Sequence, residues 1–303
     1  MQMDLLSGLK ERFFVSAEQI EKIKLNAIHD SILHTTPSEK PSLIIVGGQS
    51  GSKKEELILM AREELAGNSM LLSADTLRNY HPNVTEIKQE YPDMLLPLTA
   101  DFTKELLLHI EDYAIQNHYN VVLEASLGNA EKAVQRLSKY KEQAYVIALK
   151  VLSINKMFSY LNAEEAYEHR LLTEKSGRLV SKQYHDQLCN KIPQTLQTLY
   201  EQQLLDKISI YQLHTFEENG VLKSKPTILE EKKEKALEAY LDEQNKDFTS
   251  TELAYLKEKA QKVKAMKANR EANFLEKVRF DFNFKFILEG KEGKTKSKKM
   301  TAA

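Results

Sequence analysis

Eight consecutive residues concentrate this chain's chemistry: Gly48-Gln49-Ser50-Gly51-Ser52-Lys53-Lys54-Glu55. They follow a short apolar run, Ser42-Leu43-Ile44-Ile45-Val46, and lead into an amphipathic stretch from Glu55 to Leu65. An apolar strand, a glycine loop and a helix in that order make a nest of backbone N–H groups aimed at an anion. A lysine at the end of the loop, here Lys54, is placed to bridge the outer phosphates of a nucleotide. The full pattern asks for glycine where Lys53 stands and for a hydroxyl residue where Glu55 stands. Lys53 can replace glycine without strain only where the backbone is not left-handed. A carboxylate at Glu55 either binds a metal or repels phosphate. By pattern alone, a strand-to-helix turn with no ligand is the competing reading. Glycine usage favours a special loop: the chain has only 10 glycines, about half the usual share, and Gly47, Gly48 and Gly51 fall within five residues.

Carboxylates follow two further apolar runs. Met70-Leu71-Leu72-Ser73-Ala74 ends at Asp75, and Val121-Val122-Leu123 ends at Glu124. An acid beside a phosphate loop can accept the proton of a hydroxyl nucleophile, which suits Asp75, although Asp before Thr-Leu-Arg is also a good helix cap. Glu124 is placed to orient magnesium or its waters, and burying it without a partner would be costly. Arg170 and Arg178 flank Ser176-Gly177 and can close over phosphates, with surface ion pairs as the alternative.

The elements that must position these residues read as an α/β fold. Strands are expected at 42–46, 70–74, 119–123, 144–149 and 208–212. Helices are expected at 16–35, 55–65, 84–91, 99–117, 129–142, 153–173 and 181–204. Such alternation gives a parallel sheet covered on both faces, with ligands at the carboxyl ends of the strands. Beyond Pro226, the last of seven prolines, residues 228–245 and 249–277 read as charged helices. Phe280, Phe282, Phe284 and Phe286 alternate with Arg279, Asp281, Asn283 and Lys285, so the period of two predicts an amphipathic strand over 279–288. Residues 289–303 read as a disordered lysine-rich tail.

Composition narrows the function classes. The 303 residues are 42% hydrophobic and 29% charged, ample for a core. With 43 basic and 44 acidic residues there is no global field for nucleic acid or anionic lipid. The basic face of Lys257, Lys259, Lys262, Lys264, Lys267 and Arg270 is interrupted by Glu258, Glu271 and Glu276, which argues for a solvated helix face over a nucleic-acid site. The lone Cys189 excludes an intrachain disulfide framework. No secretory h-region or bilayer-length apolar run is present, so a cytoplasmic protein is expected.

Taken in order, these motifs resemble the zeta toxins of toxin–antitoxin systems. The resemblance is carried by the loop, by Asp75-Thr76-Leu77-Arg78-Asn79-Tyr80-His81-Pro82-Asn83 and by Glu124-Ala125-Ser126. It continues through Ser159-Tyr160-Leu161, Tyr167-Glu168, Arg178, Ser181-Lys182-Gln183-Tyr184-His185-Asp186 and Leu196-Gln197-Thr198-Leu199, over residues 42–215. It implies a P-loop kinase fold that transfers the γ-phosphate of ATP, with Mg2+, to the amino-sugar 3′-hydroxyl of UDP-N-acetylglucosamine. It also implies an antitoxin protein as partner. On this resemblance the loop Gly48 to Glu55 holds ATP, Lys54 is the phosphate-loop lysine and Asp75 the base. Glu124 and Ser126 serve magnesium and substrate, with Glu55 a second candidate for the metal, and Arg178 steadies the transition state. The chain departs from the family pattern at Lys53 and Glu55. Ala166 stands where a lid arginine is expected, with Arg170 four residues on. Leu108 stands where a substrate-binding acid is expected, with Glu105 one turn away, and Gly128 replaces another arginine. The domain division expected is 1–40, an N-terminal helical segment; 41–226, the kinase-like unit; and 227–303, a helical extension. Two rival readings follow from the departures: a pseudokinase that binds a nucleotide-sugar or protein without turnover, and an assembly protein working through its C-terminal helices.

Overall fold

The computed structural model describes residues 2–174 and 180–289. A six-stranded sheet forms the centre, in the order β2-β3-β1-β4-β5-β6. Its strands are β1 Ser42–Gly47, β2 Met70–Leu72, β3 Val121–Ala125, β4 Val146–Ser153, β5 Lys207–Glu218 and β6 Val221–Glu230. The first five run parallel, and β6 returns antiparallel along β5.

Alternate residues of β1 serve opposite faces. Leu43 and Ile45 join one core with Leu106, Ile110, Ile192 and Leu196; Ile44 and Val46 join the other with Leu57, Leu161, Leu256 and Val263. Both faces are apolar because both are covered, as in parallel sheets generally. One cover consists of α2 Ala17–Ile32, α6 Leu95–Gln116, α7 Ala130–Glu142, α9 Lys182–Glu201 and α10 Ala236–Asn245. The other consists of α3 Lys54–Glu64, α8 Lys156–Glu174, α11 Ser250–Asn269, α12 Phe274–Asn283 and α13 Lys285–Glu289. Short helices α4 Ala74–Arg78 and α5 Val84–Glu90 follow β2, and α1 Gln2–Arg12 packs Leu9 against Ile87 and Leu98. The helix expected over 16–35 is present as α2, opened by a capping box of Ser16 and Gln19.

Two expectations fail at the C-terminal end. The strand expected over 279–288 is helical, as α12 and α13. Residues i and i+4 share a face under either period, so Phe280 and Phe284 fit both readings. Ile287 decides for the helix: Phe280, Phe284 and Ile287 are buried together, while Phe282 is 80% exposed. Asn273 caps the helix by accepting from the Glu276 amide. The second correction is that β5 and β6 make a hairpin where a short strand and a helix beginning at 228 were expected. Asn219 and Gly220 both take positive φ, which matches the twist of a two-residue hairpin turn. Pro226 is tolerated because β6 is the sheet edge.

The basic residues of α11 are largely consumed inside the molecule. Lys267 lies 2.6 Å from Glu168 and 3.0 Å from Glu164, Arg270 pairs with Glu168 and Glu276, and Lys259 and Lys262 both reach Glu165. Among the described residues no helix is long and apolar enough to cross a membrane.

Candidate active site

The residues singled out by the sequence meet at the carboxyl edge of the sheet because β1, β2 and β3 lie side by side there. Val46 is in register with Glu124, and Leu72 with Leu123, which sets Ser73 beside Glu124. A cleft of about 410 Å³ opens at this edge, with Lys54, Asp75, Glu124, Ser126, Lys132 and Arg136 on its walls.

The loop is seated tightly against the start of α8. A Cβ on Gly51, at φ +76°, would come 2.0 Å from the Ser159 carbonyl oxygen, so only glycine fits where the loop crosses α8. Asn162 Nδ2 donates to the Gly51 carbonyl at 2.9 Å, and Gln49, fully buried, donates to Ile154 O at 2.8 Å. Ser52 Oγ is buried and has no hydrogen-bond partner. Lys53 is left-handed, at φ 64° and ψ 44°. The condition for replacing glycine without strain is therefore not met. A non-glycine residue in this region is disfavoured by about 1–2 kcal/mol. Its Nζ turns away from the cleft and donates to Ser224 Oγ at 3.0 Å on β6.

Lys54 is half-withdrawn. Its Nζ donates to Gln49 O at 3.4 Å and stands 3.8 Å from Glu124 Oε1. Glu124 is held from the other side by Ser73 Oγ, which donates to Oε2 at 2.7 Å. Asp75 lies in the first turn of α4 behind Ser73 at the cap position, so it is not the cap that its neighbours suggested. Its carboxylate is 78% exposed, pairs with Arg78 and faces the cleft. Arg78 is in turn fixed by Thr99, which accepts from Nε at 3.1 Å.

Other candidates lie elsewhere. Glu55 is exposed in the first turn of α3 and is not a cleft residue. Glu105 is exposed on α6 and pairs with Lys24 at 3.0 Å, again away from the cleft walls. Arg170 is exposed on α8, where its Nε donates to Ala166 O at 3.3 Å. Arg178 lies outside the described residues.

Sequence reasoning missed the wall formed by α7. Arg136 is gripped by Glu111 through two bonds of 2.5 and 2.8 Å. Burial opposes the guanidinium charge, but Glu111 outweighs it and raises the Arg136 pKa above its ordinary value. Glu111 is 2% exposed and sits three residues beyond Leu108, on the side opposite to Glu105. The signal was a basic i,i+4 pair, Lys132 and Arg136, on the helix that follows the Glu124 strand.

A parallel sheet with a glycine loop feeding a helix N-terminus, and acids at the neighbouring strand ends, defines a P-loop kinase-like protein. Comparison with known proteins narrows the class. The zeta toxin family model matches residues 26–240, and the chain belongs to that family. Toxin PezT of Streptococcus pneumoniae serotype 4 is 26% identical over 176 residues, covering 58% of this chain and 70% of that one. Toxin zeta of Streptococcus pyogenes is 27% identical over 174 residues, covering 57% of this chain and 61% of its own length. A solved structure from the PezAT chromosomal toxin–antitoxin system of Streptococcus pneumoniae superposes with a TM-score of 0.70 at 19% identity, covering 86% of this chain and 99% of that chain.

Proposed function

We propose that this protein is a kinase that transfers the γ-phosphate of ATP to a hydroxyl of a UDP-activated amino sugar, UDP-N-acetylglucosamine being the first candidate. One observation carries the reading: the loop lysine, Lys54, and two carboxylates, Asp75 and Glu124, face one cleft whose opposite wall bears Lys132 and Arg136. That gives a cradle for a triphosphate on one side and a cationic wall for a second phosphorylated molecule on the other. The orphaned Ser52 hydroxyl and the glycine-only crossing at Gly51 fit a loop shaped around phosphate.

Asp75 would take the proton of the attacking hydroxyl, which its exposure to the cleft allows. Lys54, released from Gln49 O and Glu124, would follow the charge on the transferred phosphoryl group. Magnesium, if bound with the nucleotide, would neutralise charge on the outer phosphates. Glu124, fixed by Ser73, would be the carboxylate that holds it. Among the described residues no three His, Cys, Asp or Glu side chains gather into a metal site, so most of its ligands would be phosphate oxygens and water. An antitoxin protein is the partner the family reading supplies.

Exposure of Arg170, with alanine at 166, favours the second reading, binding without turnover. Incubation of the purified protein with ATP–Mg and UDP-N-acetylglucosamine, followed by nucleotide chromatography, separates the two. ADP and a phosphorylated UDP-sugar appear together if the chain is a kinase. Thermal stabilisation by both ligands without ADP would leave the binding reading.

A further inference from the structure

Behind the phosphate loop runs a buried chain of hydrogen bonds that the cleft does not use. Gln49 Nε2 lies 3.3 Å from Ser159 Oγ, Ser159 Oγ lies 2.9 Å from His185 Nε2, and His185 Nδ1 lies 3.1 Å from Asp186 Oδ1. Gln49, Ser159 and His185 are each 0% exposed. The chain thus crosses from the loop to the start of α8 and on to α9.

Donor and acceptor inventory gives it one direction. The Gln49 amide nitrogen only donates, so Ser159 Oγ accepts. The serine has a single proton, and its shortest acceptor is His185 Nε2, ahead of Lys156 O at 3.1 Å. His185 then carries its proton on Nδ1 and donates it to Asp186. This requires a neutral imidazole. Burial lowers the His185 pKa, and Lys182 and Lys156 act in the same sense against the opposing pull of Asp186.

Serine, histidine and aspartate in this order also describe a hydrolase triad. Neither Ser159 nor His185 lines the cleft, and both are sealed from solvent, so no substrate carbonyl can reach the hydroxyl. The chain leads instead to the loop. There it meets Gln49, whose amide nitrogen also donates to Ile154 O at 2.8 Å and whose Oε1 accepts from the Tyr240 hydroxyl at 3.4 Å, and the Ser159 carbonyl is the surface against which Gly51 is pressed.

We infer that His185 is a positioning residue for the phosphate loop: acting through Ser159, it fixes the Gln49 side chain and so holds the loop amides in their anion-binding arrangement. That the loop receives a nucleotide rests on the proposed function; that His185 holds the loop does not.

Amide hydrogen–deuterium exchange on the full-length, ligand-free protein tests this. Ser159→Ala removes one oxygen, and His185→Leu removes the acceptor while keeping an apolar side chain. Both should raise exchange across residues 48–54 about tenfold, with β1 and β4 unchanged. His185→Gln retains an acceptor oxygen and should stay within about threefold of the wild type. Ser159→Ala is the safeguard should His185→Leu fail to fold. Unchanged loop exchange in Ser159→Ala, or loosening spread evenly over the sheet, overturns the inference. Calorimetry with ADP–Mg adds a second arm: Ser159→Ala should weaken ADP about tenfold and leave UDP affinity unaltered. A wild type that binds no ADP would defeat the kinase reading, while the exchange result would still decide the role of His185.

Discussion

Two regions of this molecule are dense in charge, and they use it in opposite ways. At the cleft, Asp75 is mostly exposed and Lys54 stands 3.8 Å from Glu124, beyond hydrogen-bond reach. Between α8 and α11, Glu164 and Glu168 are 0% exposed and Lys267 2% exposed, with Lys267 2.6 and 3.0 Å from the two acids. Arg270 closes on Glu168 from the side at 2.6 Å. Loose, accessible charges can be recruited by a ligand. Paired, buried ones cannot, and they serve to join α11 to α8. The difference lies in the partners, since both regions are built from lysine, arginine and glutamate.

The comparison is broken most directly at the cleft, where the largest effect is expected on activity and the smallest on folding. Asp75→Asn should lower phosphoryl transfer by about 10²–10⁴-fold. Its melting temperature should match the wild type, because the replaced carboxylate is exposed. Steady-state kinetics beside a thermal melt reads both quantities. Near-normal turnover would show that Asp75 serves only to pair with Arg78.

The α8–α11 clasp should respond in reverse. Lys267→Met strips Glu164 of its nearest cation and leaves buried acid uncompensated. Losing one partner of a buried ion cluster costs about 3–5 kcal/mol. Urea unfolding should show that loss, and adding Glu164→Gln to the variant should recover part of it. A change below about 1 kcal/mol, the range of exposed pairs, would mean that the clasp is solvated in solution.

Acidification separates the buried groups further, because two histidines and two glutamates among them carry shifted pKa values. His185 and His81 are both lowered from 6.5, mainly by burial. Below pH 6.5 the unfolded chain binds protons that the folded one refuses, so stability falls as pH falls towards the folded values. The slope is at most about 1.4 kcal/mol per pH unit for each histidine. Glu165 and Glu168 are held below 4.5: burial pushes them up, and the lysines and Arg270 outweigh it. Their contribution is complete above pH 4.5 and is lost further down. Urea midpoints between pH 7.5 and 5.5 should therefore drop, and His185→Gln should remove about half of the slope. A slope unchanged in that variant would place the titration elsewhere.

The sheet was legible because parallel strands buried on both faces announce themselves as apolar runs, and every expected parallel strand lies in this sheet. The loop and its two acids were legible for a related reason: each directly follows such a run. What failed depended on partners far along the chain. Glu105 and Glu111 both lie within one turn of Leu108, and only packing decides that Glu111 meets Arg136 while Glu105 meets Lys24. The period-two phenylalanines at 280–286 misled because spacing alone cannot say which of them face the core. Lysines on α11 read as a solvated face because the acids that neutralise them sit roughly a hundred residues earlier, on α8. Asn219-Gly220, a local signal, was there to be read and marks the hairpin.

The smallest effect expected is at Lys53, whose Nζ reaches Ser224 on β6. Its backbone is left-handed, the conformation for which the family pattern supplies glycine. Lys53→Gly relieves about 1–2 kcal/mol of backbone strain. The same change gives the unfolded chain more freedom, an opposing term of about 0.4–1 kcal/mol. It also deletes the bond from Nζ to Ser224 Oγ, a partly buried contact worth about 0.5–1.5 kcal/mol. These contributions nearly cancel, so the urea midpoint should move little in either direction. Nucleotide binding separates the roles that stability cannot. If Lys53 only tethers the loop to β6, the glycine variant should bind ADP–Mg within about threefold of the wild type, since the nest amides keep their geometry. A loss of tenfold or more would mean that Lys53 leaves Ser224 and joins Lys54 at the phosphates when the nucleotide arrives.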